Sequence, residues 1–251
     1  LTAAQAILLL LGNMDLFDAI CHSFTTMATG GYSTKQASIA YWDSAYIQYV
    51  VIIFMFIAGT NFGLLYVILH GKFRKLFHDE EFKLYLYITL GASTIIAIVL
   101  FLNGYANLEL SIRESIFQVV TILTTTGFAT ADYLLWPPLT GAIIFALLFI
   151  GACAGSTSGG LKCIRLNLLF KNSFIETGVM GFFILYMFIF AISSLIMSLF
   201  TQDIATACSA VISSMSNVGP GFGEIGPMDN FANLHDFAKI FLSILMMVGR
   251  L

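Results

Sequence analysis

The chain has 251 residues, of which 59% are hydrophobic and 10% are charged, with a net charge of −3 and a mean hydropathy of +0.91. Soluble proteins carry about 25% charged residues, so this composition excludes a soluble globular protein and predicts an integral membrane protein. The alternating segments of about 10 residues that mark a transmembrane barrel are missing from the sequence. The predicted fold class is therefore an all-α polytopic membrane protein.

Four apolar runs have the length of a membrane span or approach it. A span needs about 20 residues, because a helix rises ~1.5 Å per residue and the hydrocarbon core is about 30 Å thick. The runs cover residues 46–70, 82–103, 139–153 and 178–200. The third run is short unless its helix continues past the small residues that follow it. The chain also begins and ends inside apolar runs, so we expect it to be part of a longer protein.

Most Lys and Arg residues lie in or beside two segments between these runs, HGKFRKLFHDEEFK and LKCIRLNLLFKN. The positive-inside rule predicts that both segments are cytoplasmic. Most acidic residues then face the opposite side. These acidic residues can be ordinary charged residues of solvated loops. The more specific alternative is an acidic surface that concentrates cations near a pore mouth.

A short motif occurs three times along the chain, as TTMATGGYST, LTTTGFATADY and SMSNVGPGFGEIGP. Aligning one glycine of each motif equates Gly30, Gly127 and Gly219. Each glycine follows an amphipathic stretch too short to span, and a long apolar run lies on either side. This order predicts parallel repeats of spanning helix, half helix, glycine loop and spanning helix, over residues 1–72, 73–172 and 173–251.

The glycine loops predict a selectivity filter. Irregular backbone inside a membrane is tolerated only where it is buried in protein or lines a water-filled cavity, and three equivalent loops would converge on one axis. Their carbonyl groups can then bind a dehydrated cation. A glycine that packs helices is the simpler interpretation of one loop alone, whereas three in register favour a pore. The predicted filter residues are Ala28, Thr29, Gly30, Thr125, Thr126, Gly127, Asn217, Val218 and Gly219.

The segment GACAGSTSGGLK begins at the end of the third apolar run and contains four glycines. Each glycine costs a helix about 1 kcal/mol, so we expect this segment to be unwound. A helix-packing face of small residues is the alternative, but the glycines are denser than such a face requires. We interpret the segment as a plug in the conduction path, formed by Gly151, Ala154, Gly155, Ser156, Thr157, Ser158, Gly159, Gly160 and Lys162, although Lys162 can also simply extend to the membrane surface.

The sequence does not favour an enzyme. A hydrolase motif GxSxG would need serine where Thr157 stands, and no nucleophile and base occur at a suitable spacing. We expect no cofactor and no nucleic-acid partner. The competing function is an ion-coupled secondary transporter with broken helices, which inverted rather than parallel repeats would favour.

Five segments of the chain occur in an order typical of one family: HSFTTMATGGYST, TTTGFATADY, GACAGSTSGGLKCIR, SNVGPGFGEIG and GRL. With them the chain resembles the membrane subunit of Trk/Ktr-type potassium uptake systems, closest to the TrkH branch. The match covers nearly the whole chain.

This resemblance implies a channel-like pore for K⁺ uptake, with four M1–P–M2 units around a pseudo-fourfold axis, of which the chain covers the second to fourth. It implies K⁺ at the filter carbonyls, a bacterial cytoplasmic (inner) membrane location, lipid contacts, a homodimer and a cytosolic nucleotide-binding regulatory ring. It also implies an intramembrane gate in which Arg250 faces the glycine-rich plug. Family members carry a longer segment before the fourth unit, so we expect a junction near Glu176.

Overall fold

The structure is a computed structural model that describes residues 1–105, 107–170 and 177–250. Within these ranges it is helical, with an isolated parallel bridge between Ile150 and Leu161 and no strand. The predicted all-α fold class is confirmed, whereas the junction expected near Glu176 lies outside the described residues. The helices are α1 (Thr2–Leu11), α2 (Leu16–Met27), α3 (Ala45–Ala58), α4 (Phe62–Leu69), α5 (Glu80–Leu102), α6 (Leu108–Leu123), α7 (Pro138–Leu147), α8 (Cys163–Phe170), α9 (Thr177–Met197), α10 (Ile204–Ser216) and α11 (Asp236–Val248).

Two helices in the described part of the chain are long and apolar enough to cross a membrane. They are α5 and the part of α9 from Gly178 to Met197. Only 11% of its most apolar 18-residue window is buried by the rest of the described chain. Two of the four predicted spans are thus continuous helices.

The predicted span over residues 46–70 is wrong as a single helix. Helices α3 and α4 replace it and meet at an angle of 105°. Asn61 begins α4, because its side-chain oxygen accepts hydrogen bonds from the backbone N–H groups of Gly63 and Leu64, at 2.8 and 3.2 Å. A capping side chain satisfies the first N–H groups of a helix and so favours a new start over continuation.

The third apolar run is also interrupted. Helix α7 ends at Leu147 and helix α8 begins at Cys163, so residues 148–162 form an irregular connection between them. The first half of this connection is held by a hydrogen bond from the backbone N–H of Cys153 to the carbonyl of Gly59, at 3.0 Å. A second bond runs from the backbone N–H of Phe62 to the carbonyl of Gly155, at 3.1 Å. The two interruptions therefore bind each other's free backbone groups.

The three half helices agree with the amphipathic stretches in the sequence. They are α2, α6 and α10, and each begins at an Asx residue whose side chain accepts a backbone N–H of the first turn: Asp15, Asn107 and Asp203. Helix α6 packs against α3 and α5, and α10 packs against α9 and α11. Ten of the residues of α6 and ten of those of α10 are buried, many of them polar, which suits helices enclosed by protein rather than by lipid.

Candidate functional site

All three half helices end in the same backbone turn. The first residue of each turn is left-handed: Thr29, Thr125 and Asn217 have φ of 50°, 54° and 57°. Two residues later each chain reaches a glycine with positive φ. These glycines are Gly31, Gly127 and Gly219, at 67°, 85° and 109°. We call the three turns loop 1 (residues 29–31), loop 2 (residues 125–127) and loop 3 (residues 217–219).

The hydrogen bonds of the turns fix their register. The residue after the left-handed one donates its N–H to a carbonyl five positions earlier: Gly30 to Thr25, Thr126 to Thr121 and Val218 to Ser213, at 2.7, 2.9 and 2.9 Å. Gly30 is therefore equivalent to Thr126 and Val218, and the predicted alignment of Gly30 with Gly127 and Gly219 is wrong by one residue. Loop 1 carries two adjacent glycines, and only the second needs a conformation closed to other residues.

Glycine also lets each loop lie against the next. A Cβ atom on Gly31 would stand 1.9 Å from the carbonyl oxygen of Thr126, and one on Gly127 would stand 2.0 Å from that of Val218. A Cβ atom on Gly219 meets no described atom within 4 Å. Loop 1 thus lies against loop 2, and loop 2 against loop 3, by the same contact, whereas no described residue makes this contact with Gly219.

The loops enclose a small cavity of about 270 Å³. Its lining includes seven predicted filter residues: Thr29, Gly30, Thr126, Gly127, Asn217, Val218 and Gly219. Ala28 is instead the C-terminal cap of α2, and the Thr125 side chain points to the 151–162 loop described below. Helices α2, α6 and α10 all end at this cavity, so the partial negative charges of three helix C-termini favour a cation there.

The 151–162 loop is unwound, as its glycines predict. Its neck is closed by hydrogen bonds from the N–H of Gly151 to the carbonyl of Leu161, at 2.7 Å, and from the N–H of Cys163 to that of Ala152, at 3.1 Å. Between these bonds the chain forms a compact loop. We define its tip as residues 156–160.

The tip contacts the ends of all three half helices. The Thr157 hydroxyl donates to the carbonyl of Met27 at 3.2 Å, and the Gly159 N–H donates to the hydroxyl of Thr125 at 2.7 Å. A Cβ atom on Gly159 would stand 2.1 Å from the carbonyl oxygen of Ser216. Three elements far apart in the sequence therefore meet at one short, irregular segment.

Two cationic side chains bind the tip. The Arg250 guanidinium donates to the carbonyl of Thr157 at 3.3 Å. The Lys162 ammonium donates to the carbonyl of Ser158 and, at 2.9 Å, to its hydroxyl. Lys162 is therefore bound to the loop rather than only extended toward the membrane surface.

Tip residues line a second cavity, of about 450 Å³, together with Lys162 and Arg165. Arg250 lines both this cavity and the one between the loops. The arginine at the tip is therefore common to the two cavities.

A polar cluster that the sequence did not reveal braces loop 1 from outside. The Asp18 carboxylate accepts a hydrogen bond from the Thr34 hydroxyl at 2.7 Å and pairs with Lys35 at 3.2 Å. His22 is buried, contacts the Asp18 carbonyl at 2.7 Å and the Ser33 hydroxyl at 2.8 Å, and packs edge-on against Trp42. These contacts hold residues 33–35, which follow loop 1, against α2. The sequence signal that could have revealed them is the presence of polar residues both in the half helix and in the segment after its loop.

A family model described as TrkH, a cation transport protein, matches residues 4–180. The chain is 37% identical, over its whole length, to the Trk system potassium uptake protein TrkH of Escherichia coli strain K12, of which it covers 57%. It is 33% identical to the TrkG protein of the same strain, over 96% of the chain and 55% of that protein.

Among solved structures, the crystal structure of the potassium transporter TrkH from Vibrio parahaemolyticus matches with a TM-score of 0.90 at 32% identity. The match covers 100% of this chain and 59% of that one. The chain thus spans somewhat more than half the length of the relatives that it matches.

Proposed function

Because this chain belongs to the TrkH family of cation transport proteins, we propose that it takes part in potassium uptake through a channel-like pore. Members of this family are integral proteins of the bacterial inner membrane and transport ions rather than catalyse a reaction. The TrkH relatives are a potassium uptake protein and a potassium transporter, and potassium is the proposed transported ion here.

The observation that carries the proposal is the common geometry of loops 1, 2 and 3. Each follows the C-terminus of a half helix, and each is bent by a left-handed residue and a positive-φ glycine. Backbone carbonyls at such a site can replace the hydration shell of K⁺. Each loop has a single short turn rather than a long filter sequence, so we expect few coordination layers and modest discrimination between K⁺ and Na⁺.

The proposed pore has a fourth side. The parallel units at residues 1–72, 73–172 and 173–251 would supply loops 1 to 3 around a pseudo-fourfold axis. The open space beside Gly219 suits a further loop from the rest of the full-length protein. In this arrangement the 270 Å³ cavity lies on the axis, and K⁺ passes through it.

The proposed gate is the 151–162 loop. Its tip lines the 450 Å³ cavity and is held by Arg250, which lines both cavities and whose charge would repel a cation that moved between them. A charged residue within an apolar run costs about 2.5–3.5 kcal/mol on insertion scales, so it requires a partner. The carbonyl of Thr157 supplies that partner in the closed position.

The proposed partners are a second copy of the full-length protein, membrane lipid, and a cytosolic nucleotide-binding regulator. The exposed residues Arg74 and Lys75 offer a basic surface for the regulator, in a segment with the charge of a cytoplasmic loop. Simple topology signalling also explains these charges, so the docking role is tested separately below.

The second candidate is an ion-coupled secondary transporter. The breaks between α3 and α4 and between α7 and α8 favour it, because broken helices bind substrates and ions in such transporters. The parallel order of the three half helices favours the pore.

Rubidium and potassium flux into proteoliposomes of the full-length protein distinguishes the pore from the secondary transporter. A pore gives flux down the gradient of K⁺ alone, whereas strict dependence on a Na⁺ or H⁺ gradient would support the secondary transporter instead.

A further inference from the structure

The first turn of α5 contains a buried carboxylate that reaches the 151–162 loop. We propose that Glu81 is a positioning residue that fixes the backbone on both sides of the tip of this loop and so controls how readily the tip leaves the ion path. The inference rests on the proposed gate, although the anchoring can be tested independently of it.

One carboxylate oxygen of Glu81 binds the backbone on both sides of the tip. Its Oε1 atom accepts hydrogen bonds from the backbone N–H of Ala154, at 2.6 Å, and from that of Ile164, at 3.1 Å. The residue is only 8% exposed. Two positions separated by the whole tip are therefore held at a single point on a rigid helix.

Glu81 is not needed to cap its own helix. Asp79 does so, since its carboxylate accepts the N–H of Phe82 at 2.7 Å. The contacts of Glu81 instead satisfy N–H groups that the helix break leaves free, because Ile164 lies in the first turn of α8 and lacks a helical partner. A carboxylate at this position also complements the positive end of α8.

Burial of the Glu81 carboxylate costs free energy unless hydrogen bonds compensate for its lost hydration. A buried charge must be compensated, and hydrogen bonds from N–H groups to a carboxylate are among the stronger ones. An amide in place of the carboxylate retains the oxygen acceptor without the charge, whereas a methyl group removes both contacts. Glutamine and alanine at this position therefore form a graded series.

The anchoring by Glu81 is separate from the contacts of the tip and of the neck. The tip contacts the half helices through Thr157 and Gly159, while the neck is closed by the backbone bonds at Gly151 and Cys163. Loss of Glu81 should loosen the segment between Ala154 and Ile164 without dissolving the neck. We therefore expect Glu81→Ala to insert and fold, with the tip displaced more often.

The test uses the full-length protein in proteoliposomes without any regulatory subunit. Basal rubidium flux should rise about threefold or more in Glu81→Ala and less in Glu81→Gln, with unchanged preference for K⁺ over Na⁺, because the filter loops are untouched. The matched control is Glu109→Gln, whose carboxylate contacts Tyr49 and Arg113 away from the loop. A general structural defect would alter ion preference or stability together with flux.

Hydrogen–deuterium exchange of peptides that cover residues 151–164 gives the second readout. Faster exchange there in both Glu81 variants, with unchanged exchange in α6, supports the anchoring. Parental exchange in both variants overturns it. Faster exchange with parental flux in both variants would show that Glu81 anchors the loop but that the loop does not control flux. That result would contradict the proposed gate rather than the anchoring.

Discussion

The guanidinium of Arg250 donates a hydrogen bond to the carbonyl oxygen of Thr157, a residue 93 positions earlier in the chain. This bond joins the end of α11 to the tip of the 151–162 loop. Thr157 in turn donates its hydroxyl to Met27 at the end of α2. The Arg250 side chain, which lines both cavities, is thereby linked through the tip to a half-helix terminus.

Replacement of Arg250 by alanine is expected to raise basal K⁺ uptake. The change removes both a brace on the tip and a positive charge on the path. A partly exposed hydrogen bond from a charged group contributes about 1 kcal/mol, which corresponds to roughly a fivefold increase in flux. Flux into proteoliposomes without a regulator measures it, and Arg250→Lys should give an intermediate value.

The control for that variant is Lys239→Ala, in the same helix, because Lys239 pairs with Asp236 at the surface. It should leave flux unchanged. Equal flux in Arg250→Ala, Lys239→Ala and the parent would show that Arg250 does not restrain the gate.

Deletion of residues 157–159 should raise basal flux more than the loss of Arg250. It removes the hydrogen bonds to Met27 and Thr125 together with most of the tip, including the carbonyl that Arg250 binds. The neck bonds at Gly151 and Cys163 remain available, so the helices on either side can keep their positions. Electrical recording from planar bilayers would detect the increase, and a deletion variant that inserts but stays as closed as the parent would remove this loop from the gate.

Charge reversal at Arg74 and Lys75 should weaken binding of the cytosolic regulator. Two exposed positive charges that become negative replace attraction with repulsion, and the effect should diminish at high salt. Pull-down of the regulator by the full-length protein measures it. Charge reversal at Lys239 serves as the control, and undiminished binding with preserved membrane topology would leave these residues with a topology role alone.

Alanine in place of Asp203 should destabilise the protein near neutral pH. Asp203 caps α10, since its carboxylate accepts the N–H and the hydroxyl of Thr206 at 2.6 and 2.7 Å. The side chain is solvent-exposed, so we expect a loss of about 0.5–1 kcal/mol in the free energy of unfolding, in the lower part of the range for helix caps. Thermal unfolding in detergent measures it, with Asp43→Ala as an exposed acidic control.

The same cap has a defined pH dependence. The hydrogen bond from the Thr206 hydroxyl lowers the pKa of Asp203 in the folded protein. Its stabilising effect is therefore complete above the unfolded pKa of about 3.9 and is lost as the pH falls through the lower folded pKa. The difference in unfolding temperature between the parent and Asp203→Ala should shrink below about pH 4, and a difference that stays constant to lower pH would contradict a role for the carboxylate.

Local sequence patterns predicted the half helices well. The amphipathic stretch that ends at Ser216 coincides with α10, because its periodicity and its Asx cap are properties of neighbouring residues. The break at Asn61 was missed, since hydropathy averaged over an apolar run hides one glycine and one capping side chain. The register of loop 1 was missed because Gly30 and Gly31 have the same letter and only backbone conformation separates them.

Long-range contacts were less accessible to sequence reasoning. The sequence places Glu81 in a charge-rich segment that is predicted to be a cytoplasmic loop, whereas the structure buries it against the 151–162 loop. Its partners are separated from it by more than one helix, so no periodic pattern connects them. Arg250 was assigned to the loop only through the family resemblance, and the hydrogen bond to Thr157 now gives that assignment a geometry.

The most direct test of the glycine-loop filter compares Gly31→Ala with Gly30→Ala in the full-length protein. Gly31 has φ of 67° and a Cβ there would stand 1.9 Å from the Thr126 carbonyl, whereas a Cβ on Gly30 would reach its nearest atom, in Tyr32, at 3.4 Å. Relative permeability to K⁺ and Na⁺ in proteoliposomes is the measurement. We expect Gly31→Ala to lose most of its K⁺ preference, as should Gly127→Ser, while Gly30→Ala stays close to the parent. Parental ion preference in properly inserted Gly31→Ala and Gly127→Ser would contradict a filter built from these loops.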